Sequence, residues 1–151
     1  MFKRVLARIV HSVGTMRRFH ALASRQRTDF QAAERWFTRA LNLDNGYQLA
    51  RFNRGVLRWR ELDNWAGAIA DFTTLLAQNS DYVDALFNRA MTYARASNYH
   101  NAVEDFEHFL DIAPNSRWAR HAYNQLEGLY AIADDLAKPL PPTESPPLLG
   151  Q

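Results

Sequence analysis

The stretch from Val83 to Asn115 reads VDALFNRAMTYARASNYHNAVEDFEHFLDIAPN, and its apolar residues fall on the faces of two successive helices. In the first half they recur at the three- and four-residue steps that place side chains on one helical face, and they are Ala85, Leu86, Ala90 and Tyr93. A second such face follows after the turn at Ser97 and ends before Pro114, which the interior of a helix does not accommodate. Its members are Ala102, Val103, Phe106, Phe109 and Leu110. The small residues Ala90 and Ala102 stand on either side of the turn, so the stretch predicts two antiparallel helices in close contact.

The same landmarks recur twice upstream. The pair Ala102 and Phe106 has counterparts at steps of 34 and 35 residues, namely Ala68 with Phe72 and Ala33 with Phe37. The run Phe87-Asn88-Arg89-Ala90 is matched by Phe52-Asn53-Arg54-Gly55, and Ala21 precedes Ala33 by twelve residues, as Ala90 precedes Ala102. A constant period of this length is the signature of a helical repeat array. The chain is therefore predicted to hold three helical pairs.

In these positions the chain resembles the tetratricopeptide repeat (TPR) family, over residues 14–116. The third repeat keeps the small residue, the tyrosine, the alanine, the aromatic residue and the proline of the family pattern, which are Ala90, Tyr93, Ala102, Phe106 and Pro114. It departs from the pattern at Leu86 and Arg89, where the family usually has tryptophan and leucine. The second and first repeats keep progressively fewer of these landmarks.

The resemblance implies an all-α fold in which antiparallel helix pairs stack into a right-handed superhelix. We expect the repeats at 14–48, 49–82 and 83–116, with a basic amphipathic helix at 1–13 before them, a capping helix at 117–135 and a Pro-rich disordered tail at 136–151. A capping helix is needed because the last repeat of a solenoid otherwise exposes an apolar face.

The charge is distributed unevenly along the chain. Residues 1–28 hold seven of the 18 lysines and arginines and none of the 16 acids, so a basic N-terminal region precedes an acidic body. Within residues 1–13 the cations alternate with an apolar stripe at helical spacing, formed by Phe2, Val5, Leu6, Ile9, Val10 and Val13. Three interpretations remain open: an end cap packed on the first repeat, a helix that binds an anionic membrane surface or a membrane partner, and a mitochondrial-type import segment. The corresponding locations are the cytoplasm, the periphery of a membrane, or an organelle.

In proteins of this family the first helix of each repeat lines a concave groove, so the binding residues are expected there. Asparagine can donate to and accept from a peptide backbone, and arginine offers a planar fork to carboxylates. We aligned the three repeats on their small residues, Ala21, Gly55 and Ala90, to find the side chains that face inward. They are Arg18, Phe19, Leu22 and Arg25 in the first repeat, Phe52, Asn53, Val56 and Arg60 in the second, and Asp84, Phe87, Asn88, Met91 and Arg95 in the third. Two alternatives remain open. The arginines also suit the last turn of a helix, where a cation is merely solvated, and the asparagines also suit hydrogen bonds between repeats.

TPR proteins that grip the carboxylate terminus of chaperones use lysines, arginines and asparagines on these inner helices. Asn53 and Asn88 fit that clamp, whereas Leu22 and Asp84 occupy places where it requires polar or basic groups. The sequence therefore favours a partner other than a chaperone terminus. The predicted partner is a peptide or protein segment, and acidic segments are among the candidates.

Several function classes lack support in the sequence. The chain has no cysteine, and it contains no glycine-rich loop that could cradle phosphates. His100, Glu104 and His108 follow each other at four-residue steps, but this pattern is typical of the solvated face of a surface helix. The acidic body disfavours nucleic acid. We expect no cofactor and no enzymatic activity, and we predict an adaptor, scaffold or assembly factor. The alternatives are a small secretion-type chaperone and an accessory subunit of a membrane-associated complex.

Overall fold

The computed structural model describes residues 2–137, and this range folds into seven α-helices with no strand. The helices are α1 (Phe2–Ser24), α2 (Arg27–Leu43), α3 (Gln48–Glu61), α4 (Trp65–Gln78), α5 (Val83–Arg95), α6 (Tyr99–Ile112) and α7 (Ala119–Ala137). Each odd-numbered helix up to α5 packs on the helix that follows it, each pair packs on the next, and α7 packs on α6. The predicted all-α architecture of stacked helix pairs is confirmed.

Each helix pair is closed by a tight turn that contains one residue in the left-handed region. These residues are Arg25, Asp63 and Ser97, with φ angles of 55°, 53° and 58°. A left-handed residue just after a helix lets the chain reverse while backbone N–H groups still reach the last carbonyls. The turns are therefore equivalent in the three pairs, although they carry three different side chains.

The predicted boundary between residues 13 and 14 is wrong. The helix α1 runs without interruption from Phe2 to Ser24, so the basic segment is the first half of the first helix of repeat one. No proline breaks the helix there, and Gly14 is buried against the second helix of the pair. The expected start of the tail at residue 136 also falls within α7, and residues 138–151 lie outside the described residues.

A trio of rings recurs in every repeat. A ring of the first helix contacts a ring of the second helix, and it also contacts a ring that directly precedes the next helix. The trios are His11 with Phe37 and Tyr47, Phe52 with Phe72 and Tyr82, and Phe87 with Phe106 and Trp118. All of these ring centroids are separated by 5.1 to 6.0 Å, within the range of favourable aromatic pairs. The trio therefore defines equivalent positions in the three repeats.

The structure corrects the register of the first repeat. A Cβ atom on Gly14 would lie 2.8 Å from the ring of Phe37, just as a Cβ atom on Gly55 would lie 2.8 Å from the ring of Phe72. Gly14, and not Ala21, is thus the counterpart of Gly55. The sequence pattern could not separate the two because they are seven residues apart, which is close to two helical turns.

Ala21 lies farther along the same pair, in a buried cluster with Phe30 and Ala33. The first pair is longer than the others, since its helices have 23 and 17 residues and those of the second pair have 14 each. Counted from Gly14 and Gly55, α1 has 12 residues before the glycine and 10 after it, whereas α3 has 7 and 6. The helix is therefore longer at both ends, and its turn lies beyond the point where the other pairs already reverse.

An ion pair within the repeat explains the departure from the family pattern at Arg89. The guanidinium of Arg89 donates to both carboxylate oxygens of Asp105, at 2.7 Å each. The guanidinium of Arg54 donates to Asp71 in the same way, at 2.9 and 2.6 Å. These bidentate contacts join the two helices of each pair at a place where the family usually has an apolar residue.

His11 forms the polar link between the first two repeats. Its Nδ1 lies 3.3 Å from the hydroxyl of Tyr47, and its Nε2 lies 2.8 Å from the side-chain nitrogen of Asn53. An amide nitrogen only donates, so Nε2 accepts and Nδ1 carries the proton. Burial lowers the pKa of His11, because desolvation disfavours the charged imidazolium.

We expect this link to make the stability of the chain depend on pH. The pKa of His11 is lower in the folded state than in the unfolded state, where it is about 6.5. The contribution of His11 to the free energy of unfolding is therefore fully present above the unfolded pKa, and it is lost as the pH falls through the folded-state pKa. The midpoint of thermal unfolding should thus be lower at about pH 5.5 than at about pH 7.5. In the His11→Phe variant, which copies the ring of the other two repeats, this difference should shrink. An unchanged difference would show that other groups cause it.

Candidate peptide-binding groove

A recess of about 200 Å³ opens between α3, α5 and the segment that precedes α7. We call it the Phe87 recess, and its lining residues are Phe52, Val56, Arg60, Asp84, Phe87, Asn88, Arg117 and Trp118. The first six of these are residues that the sequence analysis placed on the concave side. The first helices of repeats two and three therefore do meet around a common depression.

The floor of the Phe87 recess is apolar and rigidly packed. Phe87 is buried, and its ring stacks on Trp118 with centroids 5.3 Å apart and an interplanar angle of 20°. Phe52 is half-buried and stacks on Tyr82 at 5.7 Å. Such a floor accepts an apolar side chain at little entropic cost, because its own rings are already held in place.

The rim of the Phe87 recess carries two arginines and one acid. The guanidinium of Arg60 lies 5.0 Å from the ring centroid of Trp59, and that of Arg117 lies 4.9 Å from the ring centroid of Trp118. Stacking of this kind orients a guanidinium without using its hydrogen-bond donors. Both arginines are exposed, as is the acid, Asp84.

A second depression of about 450 Å³ adjoins the recess. We call it the Trp65 depression, and it is lined by Trp59, Arg60, Glu61, Asp63, Trp65 and Arg95. Arg60 lines both, so the two form one continuous surface. Arg60 and Arg95, both predicted to face the concave side, thus lie together.

Arg25 precedes Arg60 by 35 residues, as Arg60 precedes Arg95, but it does not match the other two in the structure. Arg60 and Arg95 lie in the last turns of α3 and α5, whereas Arg25 follows the end of α1 and occupies the left-handed turn position. The spacing of 35 residues is therefore not a structural equivalence in the first repeat. The reason is the longer first pair, which displaces its turn relative to the other two.

The asparagines join successive repeats to each other. Asn53 contacts His11 of α1, as described above, and the carbonyl oxygen of Asn88 accepts a hydrogen bond from Trp59 Nε1 of α3 at 3.2 Å. The amide nitrogen of Asn88 donates to the backbone carbonyl of Asp84 at 2.6 Å. Both amides therefore form the inter-repeat hydrogen bonds that the sequence left open as an alternative. Asn88 still lines the Phe87 recess, with its polar atoms directed at the protein.

The remaining predicted groove residues lie outside both depressions. Arg18 pairs with Glu61 at 3.7 Å, where the long first pair touches the end of α3. Phe19 and Leu22 are exposed on the same extension of α1. Met91 packs against the core of the third repeat. The first-repeat residues were misplaced because they were registered on Ala21.

Arg117 and Trp118 are lining residues that the groove prediction missed. Tyr47 and Tyr82 directly precede α3 and α5, and Trp118 precedes α7 in the same way, at steps of 35 and 36 residues. That recurrence was available in the sequence. The ring of His121 lies 5.8 Å from that of Phe87, beside the recess.

The histidine and acid pattern on α6 does not converge. His100 Nε2 lies 3.4 Å from Glu104, but His108 pairs instead with Asp81 at 3.7 Å. Over residues 2–137, no three histidine or acidic side chains come together in a way that could hold a metal ion. Nor does this part of the chain contain a helix long and apolar enough to span a bilayer.

Comparison with known proteins agrees with the repeat architecture. Residues 83–116 match the model of the tetratricopeptide repeat family, and these are the bounds expected for the third repeat. No curated protein sequence matches the chain.

Several solved structures share the fold. A tetratricopeptide repeat protein from Parabacteroides merdae is 27% identical, with 85% of this chain and 47% of that chain covered and a TM-score of 0.72. The first TPR of Spaghetti (RPAP3), bound to the HSP90 peptide SRMEEVD, is 20% identical, with 85% and 93% covered and a TM-score of 0.69. The second TPR domain of human RPAP3, in complex with the HSP70 peptide SGPTIEEVD, is 18% identical, with 82% and 98% covered and a TM-score of 0.66.

Fold and sequence together define the class of this protein as an all-α helical repeat domain. Its third repeat matches the tetratricopeptide repeat family, and the chain shares the fold of solved TPR domains.

Proposed function

We propose that this chain is a non-enzymatic adaptor or assembly factor that binds an acidic peptide or protein segment on its concave side. The segment would lie across the Phe87 recess and the Trp65 depression. The observation that carries the proposal is the placement of Arg60, Arg95 and Arg117 around one continuous surface with an apolar floor.

The chemistry of this surface fits an acidic ligand with an apolar anchor. A side chain of the ligand would pack on Phe87 and Trp118, and its carboxylates would accept hydrogen bonds from the arginines. Charge-assisted hydrogen bonds of this type are about twice as strong as neutral ones. Asp84 at the rim would repel a carboxylate placed beside it, so it restricts the positions that acids of the ligand can occupy.

The relatives support a peptide ligand of this class. The peptides bound to the two RPAP3 domains both end in EEVD, in which three of four residues are acidic. The present groove would hold its ligand differently from a clamp built on asparagines, because both Asn53 and Asn88 are engaged within the protein. We therefore expect selectivity to come from the arginines and the aromatic floor.

The binding test uses fluorescent peptides of about nine residues, drawn from a library with two or three acids and one aliphatic or aromatic residue. We expect the wild-type chain to bind a subset of them, and the Arg60→Ala, Arg117→Ala double variant to bind that subset at least about tenfold more weakly, since one charge-assisted bond contributes about 1.5–3 kcal/mol. Fluorescence anisotropy measures the affinities.

The matched control for this experiment is Arg35→Ala. Arg35 is an exposed arginine of α2, away from both depressions that form the groove. Its removal changes the net charge without touching the groove, so binding should weaken only slightly. Equal affinities for the double variant and the wild type would contradict the proposed site.

A further inference from the structure

The outward side of α1 carries a row of exposed apolar side chains, which we call the outer stripe. Its members follow each other at helical spacing and are at least half exposed: Phe2 79%, Val5 50%, Ile9 57%, Met16 74% and Phe19 78%. The opposite side of α1 packs into the protein through residues that include Ala7, His11 and Gly14. The helix is therefore apolar on two sides, and only one of them is covered.

In the other two repeats, the positions equivalent to Ile9 and Met16 are buried, whereas those equivalent to Phe19 are the exposed Arg60 and Arg95. Counting from Gly14 and Gly55, Ile9 corresponds to Ala50, which is fully buried with Ala40 and Leu41 of α2. Met16 corresponds in the same way to Leu57, which is fully buried in a cluster with residues of α1 and α2. The middle of the outer stripe, at Ile9 and Met16, is thus the face on which a preceding repeat would stack. A terminal repeat normally presents a polar face there.

The outer stripe lacks the features with which α3 and α5 hold the repeat before them. Where Ala50 permits close approach of a helix, α1 has the larger Ile9. Where Asn53 bonds to the preceding repeat, α1 has Ser12, whose hydroxyl donates to the backbone carbonyl of Arg8 at 3.0 Å. A helix pair stacked in the family geometry would meet a bulky surface without a polar link.

The charges around the outer stripe disfavour a second copy of the chain. Exposed cations accompany the stripe on α1, namely Lys3, Arg4, Arg8 and Arg17. The first acid of the sequence is Asp29, and of these four cations Arg4 lies 4.0 Å from an acid, Asp44, while Arg17 shares a depression with Glu34. Two α1 helices placed face to face would bring two sets of cations together. The same charges are complementary to an anionic surface.

We propose that the outer stripe docks on an anionic membrane surface, with α1 lying in the plane of the lipid headgroups. Large apolar side chains in a row with lysine and arginine beside them are the features by which an interfacial helix binds such a surface. From Phe2 to Phe19 the stripe is about 27 Å long. It therefore extends past residue 13, where the sequence placed the end of the amphipathic segment. No residue of the outer stripe lines either depression of the groove, so a protein docked in this way would present its ligand at a membrane.

The test is sedimentation of the full chain with vesicles of phosphatidylcholine that contain about one quarter phosphatidylserine, compared with vesicles of phosphatidylcholine alone. We expect binding to the anionic vesicles and at least about tenfold weaker binding to the neutral ones. The Ile9→Asp, Phe19→Asp variant should lose at least about tenfold in affinity, because both side chains would have to bury a charge in the interface. The Arg8→Gln, Arg17→Gln variant should lose about fivefold for each cation removed.

The control variant is Tyr123→Asp, Ile132→Asp, which changes two exposed apolar residues of α7 at the other end of the array. It should bind vesicles as the wild type does, and circular dichroism should show equal helix content in all variants. The proposal would be overturned if the wild-type chain stayed in the supernatant with anionic vesicles, or if the Ile9→Asp, Phe19→Asp variant bound them as tightly as the wild type. It would also be overturned if the wild type bound no vesicles but formed a dimer, and the Ile9→Asp, Phe19→Asp variant were a monomer. Failure would leave the peptide site untouched, because the groove residues are different.

Discussion

Replacing Asp71 with alanine is expected to lower the free energy of unfolding by about 3–5 kcal/mol, because it leaves several buried cations without their acid. The side chain of Asp71 is 2% exposed and accepts hydrogen bonds from Arg54 and Arg58, with Arg51 at 3.7 Å. All three guanidinium groups are largely shielded from water, with side-chain exposures of 10–17%. Their mutual repulsion would be compensated only in part by Glu34, which pairs with Arg58.

Asp105→Ala is the matched control for this prediction. Asp105 occupies the equivalent place in the third repeat, but among the described residues its ion pair is with Arg89 alone. The variant should therefore lose less stability than Asp71→Ala. Urea unfolding followed by circular dichroism measures both. If the two variants lose the same amount, the arginine cluster around Asp71 does not carry the extra stabilisation assigned to it.

Replacing Phe37 with alanine is expected to lower the free energy of unfolding by about 3–5 kcal/mol, the usual range for a fully buried phenylalanine. Phe37 has no exposed surface and fills the space between Gly14 and His11. The loss would leave a cavity where the first and second helices of repeat one meet. Chemical unfolding of the single variant measures the loss.

A double-mutant cycle with Gly14→Ala tests the corrected register at the same time. In the wild-type background the new Cβ atom would press on Phe37, so Gly14→Ala should destabilise by about 1–3 kcal/mol. In the Phe37→Ala background the same Cβ enters the cavity, and alanine is the better helix former by about 1 kcal/mol. A contact of 3.2 Å with the Cβ atom of Trp36 remains, so the substitution should cost clearly less than in the wild-type background. An equal effect of Gly14→Ala in both backgrounds would show that Gly14 does not face Phe37.

The third repeat was predictable because its pattern is nearly complete. Ala90, Ala102 and Phe106 fall where the family pattern requires them, and the helix ends agree with the stop signal of Pro114. The second repeat followed by translation of the same landmarks. In the first repeat the landmarks were ambiguous, since both Gly14 and Ala21 are small residues on one helical face.

The groove was predictable in part for the same reason. Where the repeats were correctly registered, the predicted residues Phe52, Arg60 and Phe87 line the Phe87 recess. Asn53 and Asn88 were correctly placed on the first helices, but their sequence could not show what they bond to. The partner of Asn53 is His11, 42 residues away, and the partner of Asn88 is Trp59, 29 residues away. Only the packing of neighbouring repeats creates these contacts.

The amino-acid sequence by itself determined that the chain is a helical array with a period near 34 residues and that its second and third repeats share a layout. It also determined that the basic charge is concentrated near the N terminus. Those properties are local or periodic, and a single helix or a single period displays them. Only the tertiary structure decided which small residue of α1 faces Phe37, which charges are paired, and which side of α1 is left uncovered. These depend on how far one helix slides along its neighbour, and a slide of about two turns leaves the apolar face of each helix unchanged while it exchanges every contact between them.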